Sequence, residues 1–217
     1  MKIIYEDNHL LVIEKPINIP MQEDESKDKD LLSLCKAYLK EKYHKPGNVY
    51  CGMVHRLDRP VGGVAVFAKT SKAASRLSES IRTDQFNKVY KAILVGQLPK
   101  ERTLIDHLIK DEKTNTSKVT SSTLGKYSEL RFKVLNSKET MHMVEIQLIT
   151  GRSHQIRVQF SSRSCPIWGD ARYNPNARPG QQLALWATSL SFPHPITQEI
   201  MHFKCELPRS NPWDQFE

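Results

Sequence analysis

An aspartate flanked by arginines is the first candidate for chemistry in this chain. The stretch HRLDRP, residues 55–60, places Asp58 between Arg56 and Arg59. In an extended backbone, Arg56 and Asp58 share one side, because alternate side chains point to opposite faces. A neighbouring arginine favours the ionised carboxylate, which can act as a hydrogen-bond acceptor or a nucleophile. These six residues alone favour a structural Arg–Asp pair that holds a loop to the domain.

A second candidate is an arginine-rich segment that begins with TGRSHQIR, residues 150–157. Between positions 152 and 172 there is a single acidic residue, Asp170, and there are four arginines: Arg152, Arg157, Arg163 and Arg172. On a helix capped by Ser153, Ser153 and Arg157 would share a face. Arginine binds phosphate or carboxylate through paired hydrogen bonds, so the segment fits an RNA or DNA cradle or a partner for a buried aspartate. The alternatives are a solvated basic face and, for His154, a packing role.

The third candidate is Tyr90 in KVYKAILVG, residues 88–96, an apolar run typical of a strand. In a strand, Tyr90 shares a face with Lys88, Ala92 and Leu94. Its ring could stack on a base, or its hydroxyl could take part in chemistry. A lone tyrosine at such a position is otherwise a core residue.

Composition favours a soluble protein with a polyanionic partner. The chain has 217 residues, 39% hydrophobic and 26% charged, with a net charge of +8. This charge favours nucleic acid over an acidic membrane surface. The sequence contains no transmembrane segment, secretory signal or phosphate-binding glycine loop, which argues against an NTPase and a dinucleotide enzyme. Four scattered cysteines predict reduced thiols in a cytoplasmic protein, without a zinc site.

The hydrophobic pattern predicts one α+β domain of short strands and a few helices. A hairpin is expected at residues 3–16, a mobile charged loop at 22–30 and an exposed loop at 110–123. Helices are expected at 31–43, at 71–82 with Ser71 as N-cap, and after Gly151. Further strands are predicted at 63–70, 88–96, 141–150, 183–192 and 199–207.

Three stretches together resemble the catalytic motifs of the RluA-type RNA pseudouridine synthases: HRLDRPVGGVAVFAK, KVYKAILVG and TGRSHQIRVQF. The resemblance continues in the opening hairpin and in two later stretches, PIWGDARY and LALWATSLSFPHPITQE. It implies that residues 1–217 form one catalytic domain of this family. The expected fold is a mixed, largely antiparallel sheet with flanking helices and loops around a central catalytic cleft.

The resemblance also implies roles for individual residues. Asp58 would be the aspartate that starts uridine isomerisation, and Arg56 would displace the target base from the RNA. Tyr90 would lie against the flipped uracil, and Arg157 would pair with Asp58. Three more positions in the matched motif are assigned to substrate binding together with Arg56: Arg152, His154 and Ile156. The implied chemistry needs no metal and no organic cofactor, and the partner is ribosomal or transfer RNA.

Three departures from the commonest family pattern put substrate preference in doubt. Val61-Gly62-Gly63 replaces a Thr-Ser-Gly type triplet, Gln159 replaces a histidine, and Trp186 replaces another. We also expect a monomer without the N-terminal S4-type domain that many members carry. Two other functions stay open on the sequence: an RNA-binding protein that has lost catalysis, and a metal-dependent nuclease.

Overall fold

A computed structural model describes residues 1–216, and the chain divides into two compact units. The first unit comprises residues 1–87 and 187–206, and the second comprises residues 88–186 and the chain from Leu207 onward. Each contains antiparallel strands and at least one helix, which confirms the predicted α+β class. The assignment of residues 1–217 to one domain stays a prediction. None of the helices in the described chain is long and apolar enough to cross a membrane.

The first unit opens with the predicted hairpin. Strand β1 (Lys2–Glu6) pairs antiparallel with β2 (Leu10–Lys15). The turn is fixed by Asp7, whose Oδ1 accepts the backbone N–H groups of His9 and Leu10 at 2.7 and 2.6 Å. A short side-chain acceptor that satisfies nearby amides is the usual reason for aspartate at such a turn.

The core of the first unit lies on the sheet β1-β2-β4-β10. Strand β4 (Gly62–Ala68) is buried along its whole length and pairs antiparallel with β2 and with β3 (Gly52–Met53). Strand β10 (Leu185–Pro193), which enters this unit at Ala187, pairs with β11 (Ile200–Lys204). Most of these strands were predicted, because long apolar runs bounded by turn residues are their sequence signature.

Two helices belong to the first unit, α1 (Leu31–Lys42) and α2 (Ser71–Arg82). Asp30 caps α1 by accepting the N–H of Ser33. The predicted cap of α2 is wrong by one residue, since Thr70, not Ser71, accepts the N–H of Ala73 at 3.1 Å. Thr70 has the extended backbone that an N-cap requires, whereas Ser71 is already helical.

The second unit is a five-stranded antiparallel sheet in the order β5-β9-β8-β6-β7. Its strands are β5 (Asn87–Val95), β6 (Glu101–Asp111), β7 (Thr116–Thr120), β8 (Lys126–Lys138) and β9 (Met141–Leu148). Helix α3 (Gln155–Ser161) packs on it, with Phe160 against Phe132 of β8. A 3-10 helix, Trp213–Phe216, ends the described chain.

Two predictions for the second unit are wrong. The stretch 110–123, expected as an exposed loop, contains the end of β6 and all of β7. Its polar composition reflects a sheet with one face in solvent, and Ser117 is nonetheless buried. The helix after Gly151 is not capped by Ser153. It starts after His154, which has a left-handed backbone (φ 52°) and no side-chain cap, so Ser153 and Arg157 do not share a helix face.

Candidate active site

Asp58 lies in a loop outside the strands, and burial alternates between neighbouring residues of that loop. Leu57 is buried, Arg56 is exposed and Asp58 is half-buried. The carbonyl of Asp58 accepts the N–H of Val61 at 3.0 Å, which closes a tight turn directly after the aspartate. The loop therefore presents Arg56 to solvent while its neighbour Leu57 anchors it.

The histidine that begins the HRLD stretch joins this loop to the sheet. His55 Nε2 accepts the backbone N–H of Val66 in β4 at 3.1 Å. Its ring lies 5.4 Å from that of Phe86, measured between centroids. His55 thus has a structural role that fixes the start of the Asp58 loop.

Lys15 is a supporting residue that the sequence did not reveal. This lysine at the end of β2 is fully buried. Its Nζ donates to three backbone carbonyls, those of Pro16 (3.0 Å), Arg59 (3.0 Å) and Val61 (2.8 Å). Burial lowers the pKa of Lys15 to about 7, and the negative charge of Asp58 opposes that shift. The hydrogen bonds of Lys15 Nζ fix the backbone on the C-terminal side of Asp58. The only sequence signal was a lysine at the end of a strand whose first four residues are apolar.

We expect Lys15→Met to destabilise the protein by roughly 2–4 kcal/mol at pH 7, because buried carbonyls lose their donors. The loss should grow between pH 7 and 9. In that range the unfolded chain binds more protons at Lys15 than the folded protein does, so wild-type stability gains from Lys15 as pH rises. Urea unfolding at several pH values measures both effects. Lys2→Met, which removes an exposed lysine of the same hairpin, should leave the midpoint nearly unchanged.

Arg59 forms a structural contact with an aspartate other than Asp58. Its guanidinium bonds Asp28, Ser26 Oγ at 2.9 Å and the carbonyl of Asn18 at 3.2 Å. It thereby ties the charged loop 22–30 to the turn that follows Asp58. This structural task falls to Arg59 and leaves Arg56 exposed for another partner.

The second glycine of the pair after Asp58, Gly63, is explained by packing. Gly63 has φ +119°, a backbone conformation that disfavours other residues. A Cβ there would lie 2.2 Å from the carbonyl oxygen of Ala187. Val61 and Gly62 are buried as well, so Val61-Gly62-Gly63 lies in the core of the first unit.

In the second unit, Tyr90 lies on β5 and is 6% exposed. Along this strand the residues on the face of Tyr90, including Lys88 and Ala92, are buried, whereas Val89 and Lys91 are half-exposed. The predicted face is therefore confirmed. The burial fits both interpretations of the tyrosine, a core ring and a ring that covers a flipped base.

Arg157 on α3 is held by a carboxylate. Its Nε and Nη2 donate to Asp170 Oδ2 and Oδ1 at 2.9 and 2.7 Å. Both side chains are buried. Asp170 Oδ1 also accepts the backbone N–H of Arg172 at 3.1 Å. The guanidinium is therefore fixed as a charged, paired group, and its predicted pairing with Asp58, a residue of the other unit, stays a prediction.

Tyr173 completes the support of Arg157. Its ring lies 5.0 Å from the guanidinium carbon, a cation–π contact. Its hydroxyl accepts the N–H of Ser117 at 2.7 Å and lies 2.8 Å from Nδ1 of His154. Burial raises the pKa of Tyr173, and the Ser117 N–H and the nearby Arg157 charge oppose this shift. The left-handed residue His154 is therefore joined to the loop that holds Arg157.

The other predicted contact residues of the second unit differ in exposure. Arg152 is exposed, with its Nε donating to the carbonyl of Tyr127 at 3.0 Å. His154 is half-buried, whereas Ile156 is buried. Substrate binding by these residues stays a prediction, and only Arg152 and His154 have substantial surface available to RNA.

Gln159, which replaces the usual histidine, is the centre of a buried hydrogen-bond network. Its Nε2 donates to Asp106 Oδ2 at 2.8 Å, and its Oε1 accepts Nε2 of Gln155 at 3.0 Å. Asp106 also pairs with Arg163 at 2.9 Å. Trp186, the other replacement, is buried with no hydrogen-bond partner for its indole N–H in the described chain.

Comparison with known proteins decides the family. The sequence profile described as RNA pseudouridylate synthase matches residues 9–162. The chain belongs to the RNA pseudouridylate synthase family. The RluA-type resemblance is thus confirmed, and the family consists of isomerases that act on RNA.

Two curated relatives and one solved structure show the extent of the likeness. The chain is 32% identical over 212 residues to the Uncharacterized RNA pseudouridine synthase YhcT of Bacillus subtilis, covering 96% of this chain and 69% of the relative. It is 32% identical over 213 residues to the Dual-specificity RNA pseudouridine synthase RluA of Yersinia pestis, covering 95% and 98%. Human RNA Pseudouridylate Synthase Domain Containing 4 superimposes with a TM-score of 0.81 at 25% identity, covering 96% and 89%.

Proposed function

We propose that this protein converts uridine to pseudouridine in structured ribosomal or transfer RNA, with Asp58 as the essential carboxylate. Family membership together with the intact His-Arg-Leu-Asp stretch carries this assignment. In the reaction the N-glycosidic bond breaks, the uracil turns, and carbon 5 bonds to the sugar. The proton on carbon 5 is then lost to solvent.

Asp58 is the group that begins the reaction. Its loop is supported from one side by Lys15 and His55, so the carboxylate is carried by a fixed backbone. An ionised carboxylate can attack the sugar as a nucleophile or abstract a proton toward a glycal intermediate. Both routes use the same acid and stay open.

The remaining residues bind the flipped base or pair with the Asp58 carboxylate. The target nucleotide in a folded RNA must be flipped out, at a cost of a few kcal/mol. Arg56, exposed beside Asp58, suits displacement of the base, and an aromatic ring such as Tyr90 offsets part of the unstacking cost. Arg157, whose orientation is fixed by Asp170, is suited to pair with the Asp58 carboxylate.

Tritium release from RNA labelled at carbon 5 of uridine tests the proposal, because only formation of the carbon–carbon bond expels that hydrogen. We expect release from ribosomal or transfer RNA of a strain that lacks this protein, with activity unaffected by a chelator. No group of three or more His, Cys, Asp or Glu side chains in residues 1–216 could hold a metal. Tight RNA binding without release would favour a binding protein, and activity lost with chelator would favour a metal-dependent enzyme.

A further inference from the structure

The second unit contains an open cavity of about 500 Å³ that includes none of the predicted site residues. It lies between the end of β5 and the loop that follows α3. Its walls include Val95, Gly96, Trp168, Asn176, Arg178 and Gln181. A volume of this size is within the range of small-ligand sites in proteins.

Two glycines in the cavity wall permit close approach of neighbouring backbone, and backbone hydrogen bonds fix its aromatic residue. Gly96 and Gly169 have positive φ, and a Cβ at Gly169 would lie 2.4 Å from a backbone carbonyl oxygen. The backbone N–H of Trp168 donates to the carbonyl of Ile93 at 2.8 Å, and its backbone carbonyl accepts the N–H of Ala184 at 3.0 Å. The half-exposed indole therefore extends from a rigid backbone, which lowers the entropy cost of stacking on it.

Arg178 supplies a positive charge at this cavity. It is exposed, and its guanidinium has no hydrogen-bond partner within the described part of the chain. The neighbouring Gln181 accepts the backbone N–H of Arg178 at 2.7 Å, which fixes the loop. An aromatic face, an available guanidinium and amide side chains are the groups that bind an unpaired nucleotide.

We propose that this cavity is a second nucleotide subsite for the RNA substrate, and the inference rests on the proposed function. One unpaired base stacks on Trp168, its phosphate pairs with Arg178, and the amide groups of Asn176 and Gln181 contact the base edge. Val95 is five residues from Tyr90 along β5, roughly 16 Å at ~3.3 Å per residue. The subsite therefore holds a nucleotide other than the one that is isomerised.

Tryptophan fluorescence provides the test, because the other two tryptophans, Trp186 and Trp213, are buried. We expect an oligouridylate of about ten nucleotides to quench wild-type fluorescence and to leave Trp168→Phe unquenched.

Arg178→Ala should weaken binding of the oligouridylate roughly five- to tenfold and lower the salt slope of the binding constant by about one. The same change should raise KM for RNA without lowering kcat. Arg209→Ala removes another exposed arginine outside the cavity and should leave affinity within about twofold.

Each other outcome is informative. Normal tritium release with no quenching by RNA would overturn the subsite and leave the enzyme assignment intact. Equal quenching by uridine monophosphate or inorganic phosphate would replace the RNA subsite by a site for small anions. Absence of both RNA binding and tritium release would overturn the proposed function and the subsite together.

Discussion

Asp58→Asn is expected to abolish tritium release while RNA affinity stays within about threefold of wild type. The amide keeps the shape of the side chain but can neither attack the sugar nor accept a proton, so the step that needs an anion is lost. The turn at this position uses the backbone carbonyl of Asp58 and is retained. Single-turnover assays with saturating RNA, alongside filter binding, separate turnover from affinity.

Asp28→Asn serves as the control, because it alters an exposed aspartate that contacts Arg59 in the same region. It should leave turnover within about twofold, as surface ion pairs contribute little. Turnover retained in Asp58→Asn would show that another acid starts the reaction. A large loss of RNA affinity in that variant would instead assign Asp58 to binding.

Asp170→Asn is expected to lower the free energy of unfolding by roughly 3–5 kcal/mol, since it breaks a buried ion pair by removing the charge of one partner. Asparagine is nearly isosteric with aspartate, so the loss of stability measures the effect of the missing charge and not that of a cavity. Turnover should fall at least tenfold even below the unfolding transition, because Arg157 loses its fixed orientation. Urea unfolding and tritium release on the same preparation measure the two effects.

A double variant distinguishes stability from catalysis. Arg157→Met with Asp170→Leu replaces the ion pair by apolar side chains of similar size, a change that is often neutral for stability. We expect stability to recover while turnover stays low, because the guanidinium is absent. Recovery of turnover would show that Arg157 acts only in folding. The matched control is Asp106→Asn, which breaks the more exposed pair with Arg163 and should cost about 1 kcal/mol.

The fold was largely predictable where local pattern and burial agree. Strands β2 and β4 are apolar runs buried in a sheet, and α1 follows the helical spacing of its apolar residues. Strand β7 was missed because its sequence, TSKVT, has only one apolar residue, so its pairing with β6 rather than its own composition makes it a strand.

The sequence identified the candidate site residues, but not the residues that hold them in place. The RluA-type motifs pointed to Asp58 and Arg157, whereas nothing in the sequence connects Lys15 to the carbonyls of residues 59 and 61. The partnership of Arg157 with Asp170 spans a helix end and a loop, and sequence spacing does not fix such geometry. Contacts that depend on tertiary packing were therefore invisible until the fold was known.

The amide at Gln159 has a consequence for how the protein responds to acid. A histidine in this buried position would be able to take up a proton near neutral pH, whereas an amide has no proton equilibrium in that range. Gln159 therefore contributes no change of charge to the contact between α3 and β6 as pH falls from 8 to 5.5. The side chain at position 159 of helix α3, which also carries Arg157, thus adds no proton uptake to the response of the protein to mild acid.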